Sequence, residues 1–459
     1  MGVFVTQQPT SINVTGTDLI YTVSSSIANS AQFRFVTDIY QSGSNNFITR
    51  LKTYPNLYGA ANINISRELG DQEGYDNTWT ITQAEACPEV KDYIMYFGEE
   101  YASSLSSSRE VVTGSIGYDL QVFPGGVEVN EGRNFPSASF NPTPAGIPAG
   151  ENPRLGSLLS NSPAQQVTYL APTFDPSALF QPNDIALPIG VQDYATLSVL
   201  KNPGWGGLNI SIPLQIEVWD STGQISVNSN INIDPALYAT NASGVIDIPS
   251  GPFNFVNNPA INAAFQGDWS AYVIRWVTNS PPETILHQWY INPLNPGIIN
   301  AQASSVSSFW KDQIGSMLPQ NPCQDYTRFA WTNQYGMWDY YNVYNPIRRN
   351  TAVKRNIYSR PNTRYEDCYA GYDVTNRGER QYMTQYTDTF SITTDYIDKY
   401  TSQWLTEMFF SNDVYIQNGN QFEPIIISNR SIDWNMNQYR QKLFQYEIEY
   451  KLANQRETR

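Results

Sequence analysis

Few side chains in this chain could carry acid–base catalysis. Glu99 and Glu100 are adjacent carboxylates, and glycoside hydrolysis uses two acids on opposite sides of one bond. Adjacent residues of a strand point to opposite faces, so this pair fits that geometry poorly. His287 is the single histidine, so it is the only candidate base for a Ser-His-Asp or Cys-His arrangement, and multi-histidine zinc sites are excluded. We expect His287 to be a packed strand residue and predict no catalytic residues.

The sequence carries no signature of a cofactor or a metal site. Its three cysteines, Cys87, Cys323 and Cys368, are an odd number at wide spacings. That pattern fits neither a disulfide framework nor a zinc site, and we expect reduced, structural thiols. Neither a glycine-rich phosphate loop of the Walker or Rossmann type nor an EF-hand loop occurs. We therefore predict no cofactor and no metal.

The charges are unevenly distributed along the chain. Residues 1–327 hold 11 Lys and Arg against 27 Asp and Glu, a net charge of −16, whereas residues 328–459 hold 16 against 15. An acidic front argues against nucleic-acid binding, which needs clustered cations on one face. The one basic cluster consists of Arg348, Arg349, Lys354, Arg355, Arg360 and Arg364. We expect it to contact the acidic front of a neighbouring subunit, with contact to DNA or to the portal as the alternative.

Aromatic residues are abundant, with 11 Trp and 31 Tyr. They could form sheet cores and permanent protein interfaces, or they could stack on sugars. We predict that Trp338, Tyr340 and Tyr341 are subunit-interface residues. The alternative is a carbohydrate-binding surface that uses Trp205, Trp338 or Tyr341 as stacking platforms.

The elements that must position these residues are predicted to be strands. Charged residues make up 15% of the chain, and Tyr, Asn, Ser and Thr fill the polar positions, which favours strands over helices. Residues 31–40 alternate as in a half-buried strand. The further predicted strands are Phe47–Lys52, Ala60–Ile65, Thr78–Thr82, Tyr93–Phe97, Leu208–Ile212, Leu214–Trp219, Gln224–Ile233, Ala271–Val277, Ile285–Ile291 and a closing strand over Leu443–Tyr450.

This spacing of strands predicts an all-β chain with two or more β-sandwich-like domains. We predict an N-terminal sandwich over residues 1–134, a Pro/Gly-rich linker or arm over 135–165, a second sandwich over 166–300 and a C-terminal β-rich domain over 301–459. The C-terminal domain should contain one short helix near 396–410 with Thr394–Asp395 as its cap. The apolar stripe of that helix would consist of Ile397, Tyr400, Trp404, Leu405 and Met408.

The sequence shows no membrane or secretory signal. Residues 1–7 lack the basic flank and apolar run of a signal peptide, and no apolar stretch is long enough to span a bilayer. We therefore expect synthesis in a cytoplasm and no membrane partner.

Several stretches resemble virion proteins of tailed bacteriophages, above all those of the crAss-like group and its relatives. Phe329–Tyr341, FAWTNQYGMWDYY, resembles a strand, an Asn-x-x-Gly turn and an aromatic strand common in such proteins. Tyr335 and Met337 stand here in place of the usual Leu and Gly. The other resembling stretches, in family order, are Phe97–Tyr101, Asp193–Ser198, Gly251–Asn254, Trp404–Glu407, Ser411–Tyr415, Pro424–Ile427 and the closing strand.

The resemblance implies a structural component of the virion tail or neck. We expect a homo-oligomeric ring, a dodecamer, stacked in the tail barrel around the DNA-ejection channel. Its partners would be other copies of itself, neighbouring tail or portal proteins, and DNA only as passing cargo. The protein would be made in the host cytoplasm and located in the virion tail. Acidic residues of 1–327 would face the channel, and residues 135–156 would reach a neighbouring subunit or ring.

Two other functions are weighed against this one. The first is a receptor- or carbohydrate-binding tail fibre or adhesin, which trimeric fibre repeats would favour, but the sequence shows none. The second is a carboxylate-dependent glycosidase on a β scaffold, which a low histidine content does not exclude.

Overall fold

The computed structural model describes about three fifths of the chain, and all structural statements below concern these residues. They are 2–9, 12–15, 18–43, 46–70, 80–83, 85–86, 91–104, 107–123, 156–158, 186–201, 214–231, 245–277, 284–295, 326–333, 337–359, 363–366, 369–372, 379–397, 399–429 and 444–454. Most of them lie in strands of several sheets, with three short α-helices. The predicted all-β fold class is confirmed.

The first sheets are built from the N-terminal part of the chain. Their strands are β1 (Val3–Gln7), β2 (Ile12–Val14), β3 (Ile20–Ser25), β4 (Ala31–Gln41), β5 (Asn46–Thr53), β6 (Ala60–Asn64), β8 (Lys91–Ala102) and β9 (Arg109–Phe123), with helix α1 (Ser66–Gly70) after β6. β1, β3 and β6 form one sheet, and β2, β9, β8, β4 and β5 form the other in that order. One apolar core joins the two sheets, so they pack as a sandwich.

The predicted hairpin over residues 31–52 is confirmed. β4 pairs antiparallel with β5, with Phe35 opposite Thr53. Phe33, Phe35 and Ile39 are buried in the core, as their alternation predicts. The β8 and β6 strands contain the predicted strands at 93–97 and 60–65. Residues 80–82 of the predicted strand Thr78–Thr82 form no strand, and Leu208–Ile212 lies outside the described residues.

A second pair of sheets follows. Its strands are β7 (Glu85–Ala86), β10 (Gly156–Leu158), β11 (Ala186–Pro188), β12 (Thr196–Lys201), β13 (Leu214–Trp219), β14 (Ile225–Ile231), β15 (Val245–Pro249), β16 (Ala271–Val277) and β17 (Thr284–Ile291). The sheet orders are β10-β12-β15-β7 and β11-β17-β16-β13-β14. Both contribute to one core. The predicted strands at 214–219, 224–233, 271–277 and 285–291 are confirmed to within two residues at each end.

A helix that was not predicted from the sequence packs against the second core. Helix α2 (Pro259–Gln266) begins after Asn258, whose side chain accepts a hydrogen bond from the Ile261 amide at 3.3 Å. Asn at the cap and Pro at the first helical position are a favourable start. Ile261 and Phe265 face the core.

The C-terminal part forms the largest sheet. Its strands are β18 (Thr327–Thr332), β19 (Trp338–Val343), β20 (Arg348–Ser359), β23 (Glu379–Thr393), β24 (Val414–Asn418), β25 (Gln421–Ile427) and β26 (Glu447–Leu452), and a separate hairpin is formed by β21 (Thr363–Glu366) and β22 (Tyr369–Tyr372). The sheet is antiparallel in the order β19-β18-β24-β25-β26-β23-β20. The closing strand is confirmed, with alternating burial from Phe444 to Tyr450.

Helix α3 (Lys399–Phe410) packs on this sheet through Trp404, Leu405 and Met408. The helix itself is confirmed, but the predicted cap was wrong. Ile397 pairs with Phe444 in a β-bridge, and the Thr394 hydroxyl accepts a hydrogen bond from the Tyr446 amide at 2.9 Å. The closing segment therefore holds residues 394–397 in extended backbone, and the helix starts later. No helix among the described residues is long and apolar enough to cross a membrane.

Candidate functional site: a buried junction and an exposed arm

A buried ion pair connects the second core to the C-terminal sheet. Asp193 lies between β11 and β12, and Arg328 lies on β18. Both side chains are 3% exposed, and Arg328 Nη1 lies 3.3 Å from Asp193 Oδ2. Burying two charges is costly unless each also gains further hydrogen bonds. We call the group formed by Asp193, Tyr194, Asn254, Tyr326, Arg328 and Asn342 the junction.

The Asp193 carboxylate has four donors. It accepts hydrogen bonds from the Gly190 amide at 2.7 Å, Tyr326 Oη at 2.6 Å and Asn342 Nδ2 at 2.9 Å, in addition to the Arg328 contact. Burial and the neighbouring Asp193 carboxylate raise the pKa of Tyr326 well above its usual range. The phenol therefore stays protonated and remains a donor.

The Arg328 guanidinium is equally well satisfied. Nε and Nη2 both donate to the Tyr194 carbonyl, at 3.1 and 2.9 Å, and Nη1 also donates to Asn342 Oδ1 at 2.7 Å. Its carbon lies 4.7 Å from the centroid of the Tyr340 ring, a cation–π contact. This set of contacts uses the planar fork of arginine, which lysine could not reproduce.

Two glycines allow the loops of the junction to approach this closely. A Cβ on Gly190 would lie 1.9 Å from Tyr326 Oη, and one on Gly251 would lie 2.4 Å from both the Ala195 nitrogen and the Asp193 carbonyl oxygen. Any larger residue would collide with these atoms. Gly190 therefore allows Tyr326 to approach the Asp193 loop, and Gly251 allows the segment that carries Asn254 to approach it.

Asn254 extends the junction toward the N-terminal part of the chain. Its Oδ1 accepts from the Ala195 and Gly251 amides at 3.0 Å each, and its Nδ2 donates to the Ile81 carbonyl at 2.8 Å. Asn254 is 1% exposed. Segments from all three predicted domains thus meet around one connected set of buried polar groups. The predicted domain boundaries themselves stay a prediction.

The cavity beside the junction is small. Its volume is about 30 Å³, and its lining includes Ile189, Ser198, Arg328, Trp338 and Tyr340. Such a space holds about one water molecule, whereas sites for organic ligands measure roughly 300–1,000 Å³. The space beside the junction is therefore too small for an organic ligand.

Two of the resembling stretches meet at the junction, which was not predicted from the sequence. Asp193–Ser198 and Gly251–Asn254 contact each other directly, because the Phe253 amide donates to the Asp193 carbonyl at 3.1 Å. Arg328 immediately precedes a third stretch, Phe329–Tyr341. Asp193, Asn254 and Arg328 were missed as a site, because no local pattern in the sequence marks them.

The second notable feature is a long ribbon formed by β20 and β23. Twelve residue pairs connect the two strands, from Arg348 opposite Ser391 to Ser359 opposite Glu379. By contrast, β26 pairs with β23 only over Phe390–Thr393. The ribbon therefore continues for roughly ten residues beyond its support, a length of about 30 Å. We call residues 348–391 the arm, and its residues 352–359 and 379–387 the outer part.

Much of the arm is exposed, although β23 is half-buried over residues 383–386 and Asp388 is buried at the base. Along β20 every residue is exposed except Asn356, which is half-buried. Large apolar side chains share this exposure. Ile357 is 54% exposed, Tyr358 43% and Tyr382 66%. A supported sheet would bury alternate residues, so within the described part of the chain neither face of the outer part has a covering layer.

The arm is basic in an otherwise acidic chain. It holds eight Lys and Arg against five Asp and Glu, a net charge of +3, which leaves −18 for the remaining residues. At its base Arg349 pairs with Asp388, and this contact lowers the pKa of the Asp388 carboxyl. Charges on the outer part, such as Lys354 and Arg355, point into solvent.

The predicted basic cluster therefore lies on the arm. Arg348, Arg349, Lys354 and Arg355 are exposed on β20. Arg364 lies on β21, where only its backbone is described. Arg360 lies outside the described residues. The structure brings most of the cluster into one element, and its role at a subunit interface stays a prediction.

The three predicted aromatic interface residues lie elsewhere, on β19. Trp338 is 4% exposed and packs with Ala330 and Tyr415. Tyr340 is half-buried beside Arg328, and Tyr341 contacts Trp404. Contacts within the chain thus account for most of their surface. Trp205, the other proposed stacking platform, lies outside the described residues, as do the three cysteines.

The structure also shows where the residues considered for catalysis lie. Glu99 and Glu100 are neighbours on β8, buried on opposite faces, where Glu99 accepts from Ser25 Oγ and Glu100 pairs with Lys52 at 3.1 Å. His287 lies on β17 opposite Arg275. Among the described residues no cluster of His, Cys, Asp and Glu could hold a metal ion. Of the predicted linker 135–165, residues 156–158 form β10, and the others lie outside the described residues.

No protein-family model matches the chain, and no curated protein matches it either.

Proposed function

We propose that this chain is a structural subunit of a tailed-bacteriophage virion, which assembles into a homo-oligomeric ring of the tail or neck around the DNA-ejection channel. The observation that carries the proposal is the arm, a basic ribbon about 30 Å long whose β20 strand is exposed along nearly its whole length. The virion setting is supported by the sequence resemblance, two of whose stretches contribute Asp193, Tyr194 and Asn254 to the junction.

The physics of the arm favours a partner. A two-stranded ribbon without a covering layer is marginally stable in water, and its exposed Ile357, Tyr358 and Tyr382 would gain by burial. An assembly subunit has a use for such an element, because a neighbour can supply the missing layer.

Charge favours another copy of the same chain as that neighbour. The arm carries +3 and the remainder of the chain −18, so the arm of one copy and the body of the next attract each other. A contact between two different patches of one subunit is heterologous, and repetition of such a contact closes a ring or continues as a filament. A closed ring is the form that a tail barrel requires.

The junction fits the same role. Its buried polar groups fasten segments from all three predicted domains. A ring subunit that transmits load between neighbours needs domains held in fixed relative positions. The predicted dodecamer and the acidic channel wall belong to this proposal as predictions that an assembled particle would test.

Negative-stain imaging of the purified full chain tests the proposal. We expect closed rings of uniform diameter with a central hole. Trimers would contradict the ring and favour an attachment fibre. A monomer at all concentrations up to the solubility limit would contradict self-assembly altogether.

A further inference from the structure

Two carboxylates lie side by side where the β13–β14 turn meets the loops before β16 and after β17. Asp220 begins the turn, and the neighbouring Ser221 Oγ donates to Asp268 Oδ2 at 2.6 Å. Asn295, in the loop after β17, donates to Asp268 Oδ1 at 2.6 Å. These hydrogen bonds join the three loops into one rigid surface. We call residues 220–225, 267–270 and 292–295 the acidic corner.

Both carboxylates of the acidic corner are accessible and fixed in position. Asp268 is exposed and Asp220 is half-buried. Asp220 Oδ1 accepts from the Thr222 hydroxyl at 2.6 Å and from the Thr222 and Gln224 amides at 2.9 Å each. The hydrogen bond from the Thr222 hydroxyl is the largest cause that lowers the pKa of Asp220. The carboxylate is therefore ionised at neutral pH and preorganised for a cationic partner.

No cation close along the chain offsets these two charges. Arg275 is the only Lys or Arg between residues 202 and 310, and it is buried in an ion pair with Glu217 at 3.2 Å. Other exposed acids do have a cation close along the chain, namely Asp92 next to Lys91, Glu110 next to Arg109, and Glu449 two residues from Lys451 on the same face of β26. The acidic corner is thus a place where a basic surface meets negative charge without a competing cation.

Exposed apolar side chains border the two carboxylates. Ile225, directly after the turn, is 46% exposed, and Leu294, next to Asn295, is 48% exposed. A fitting partner therefore combines positive charge with apolar or aromatic surface. Nucleic acid and anionic lipid are repelled by the carboxylates, which leaves a basic protein surface as the occupant.

One face of the outer part of the arm has both properties. Lys354 and Tyr358 are four residues apart on β20, so they share a face of the strand, and Arg380 lies directly opposite Tyr358 on β23. Lys354 and Arg380 are exposed. The Tyr358 and Tyr382 rings are also exposed, with centroids 6.0 Å apart. The arm thus presents two cations beside two aromatic rings.

We infer that this face of the arm of one copy docks on the acidic corner of the next copy. Lys354 and Arg380 meet the carboxylates of the corner, and the two tyrosine rings cover its apolar side chains. The two patches differ, so the contact is heterologous, as a ring requires. This inference rests on the proposed function, for which it names the acceptor of the arm.

Removal of the charges of the corner should weaken assembly. Asp220→Asn with Asp268→Asn keeps side-chain oxygens that accept hydrogen bonds but removes both negative charges. The concentration needed for assembly should rise by about tenfold, the order expected for two partly exposed ion pairs. Light scattering over a dilution series measures it. Glu110→Gln with Asp119→Asn removes two charges at exposed positions of β9 and should leave that concentration unchanged.

An exchange of charge across the contact tests the pairing itself. Lys354→Glu with Arg380→Glu should abolish assembly, because the reversed arm is repelled by the corner. The further addition of Gln224→Lys with Asp268→Lys should restore it, because the two reversed patches attract each other again. Restored assembly also shows that none of these substitutions acts by unfolding the chain.

The control for this exchange adds Glu110→Lys with Asp119→Lys to the reversed arm. It restores the net charge of the chain at positions outside the corner, so it should not restore assembly. Rescue by this control, or normal assembly of the neutralised corner together with no rescue by the exchange, would overturn the inference while the ring remains. A native chain that stays monomeric at all concentrations would overturn the proposed function, and the inference with it.

Discussion

Two Arg–Asp pairs in this chain show how environment decides the value of a charge. Arg328 and Asp193 are each 3% exposed, whereas Arg349 is 60% exposed beside Asp388. The buried pair has lost its hydration, so its stability depends on the full set of partners around it. The exposed pair competes with water and salt and contributes little. The junction is therefore the place where single substitutions should be most damaging.

Removal of one buried partner gives the sharpest prediction at this scale. Arg328→Met should lower the free energy of unfolding by about 3–5 kcal/mol, because Asp193 is left as an uncompensated buried charge. Arg349→Ala is the matched control and should change it far less. Denaturant unfolding followed by tryptophan fluorescence measures both. Equal losses for the two variants would show that the buried pair has no special role.

Removing both charges of the buried pair should lower the free energy of unfolding less than removing the Arg328 charge alone. Arg328→Met combined with Asp193→Asn removes the stranded carboxylate, so the double variant should be more stable than Arg328→Met alone.

Asp395 predicts a pH dependence. Burial raises the pKa of Asp395 above its ordinary value, although a hydrogen bond from Asn345 opposes the shift. A raised pKa in the folded chain means that the protonated form is favoured by folding. Its contribution is present below the ordinary carboxyl pKa and is lost as the pH rises through the raised pKa. Ionisation of Asp395 thus destabilises the fold at neutral pH.

The substitution Asp395→Asn should therefore raise the melting temperature near pH 7 and leave it unchanged near pH 3. The amide oxygen can still accept from Asn345. Thermal melts at the two pH values make the comparison. A variant that is less stable near pH 7 would contradict the assignment of burial as the dominant cause.

At the scale of elements, local patterns predicted much of the fold. The β4–β5 hairpin, the strands β13 and β14, helix α3 and the closing strand were all predicted from the apolar pattern of a short segment. The arm could not be predicted in this way. Along β20 neither face meets a core, so Arg348–Ser359 shows no alternation that would identify a strand.

The junction escaped prediction for a different reason. Asp193 and Arg328 are 135 residues apart, and their contact depends on how two sheets pack. Periodicity within a segment carries no information about that packing. Helix α2 was missed because only Ile261 and Phe265 carry its apolar face. The cap at Thr394–Asp395 was wrong because tertiary pairing with residues 444–446 competes with local capping.

The arm should be separable from the body. Joining Ala352 to Thr387 through an Asn-Gly turn keeps a paired end of the ribbon, because these two residues are directly opposite and Asn-Gly favours two-residue hairpin loops. Since neither face of the outer part contributes to a core, the melting temperature of the monomer should not change. A large decrease in melting temperature would show that the outer part folds back onto its own body.

At the scale of the whole molecule, we propose that the acidic body and the basic arm of neighbouring copies associate head to tail. The body carries −18 and the arm +3, so this association should weaken as salt screens the attraction. The junction connects segments of the three predicted domains within one copy. In this proposal the arm holds the assembly together.

The most direct test is the molar mass in solution by light scattering, for the native chain and for Lys354→Glu with Arg355→Glu. We expect a single large multiple of the chain mass for the native protein and monomer for the arm variant. Arg67→Glu with Arg109→Glu changes the net charge equally, at exposed positions of the N-terminal sheets away from the arm, and should leave the native mass in place. A native monomer, or an arm variant that assembles as well as this control, would contradict the account.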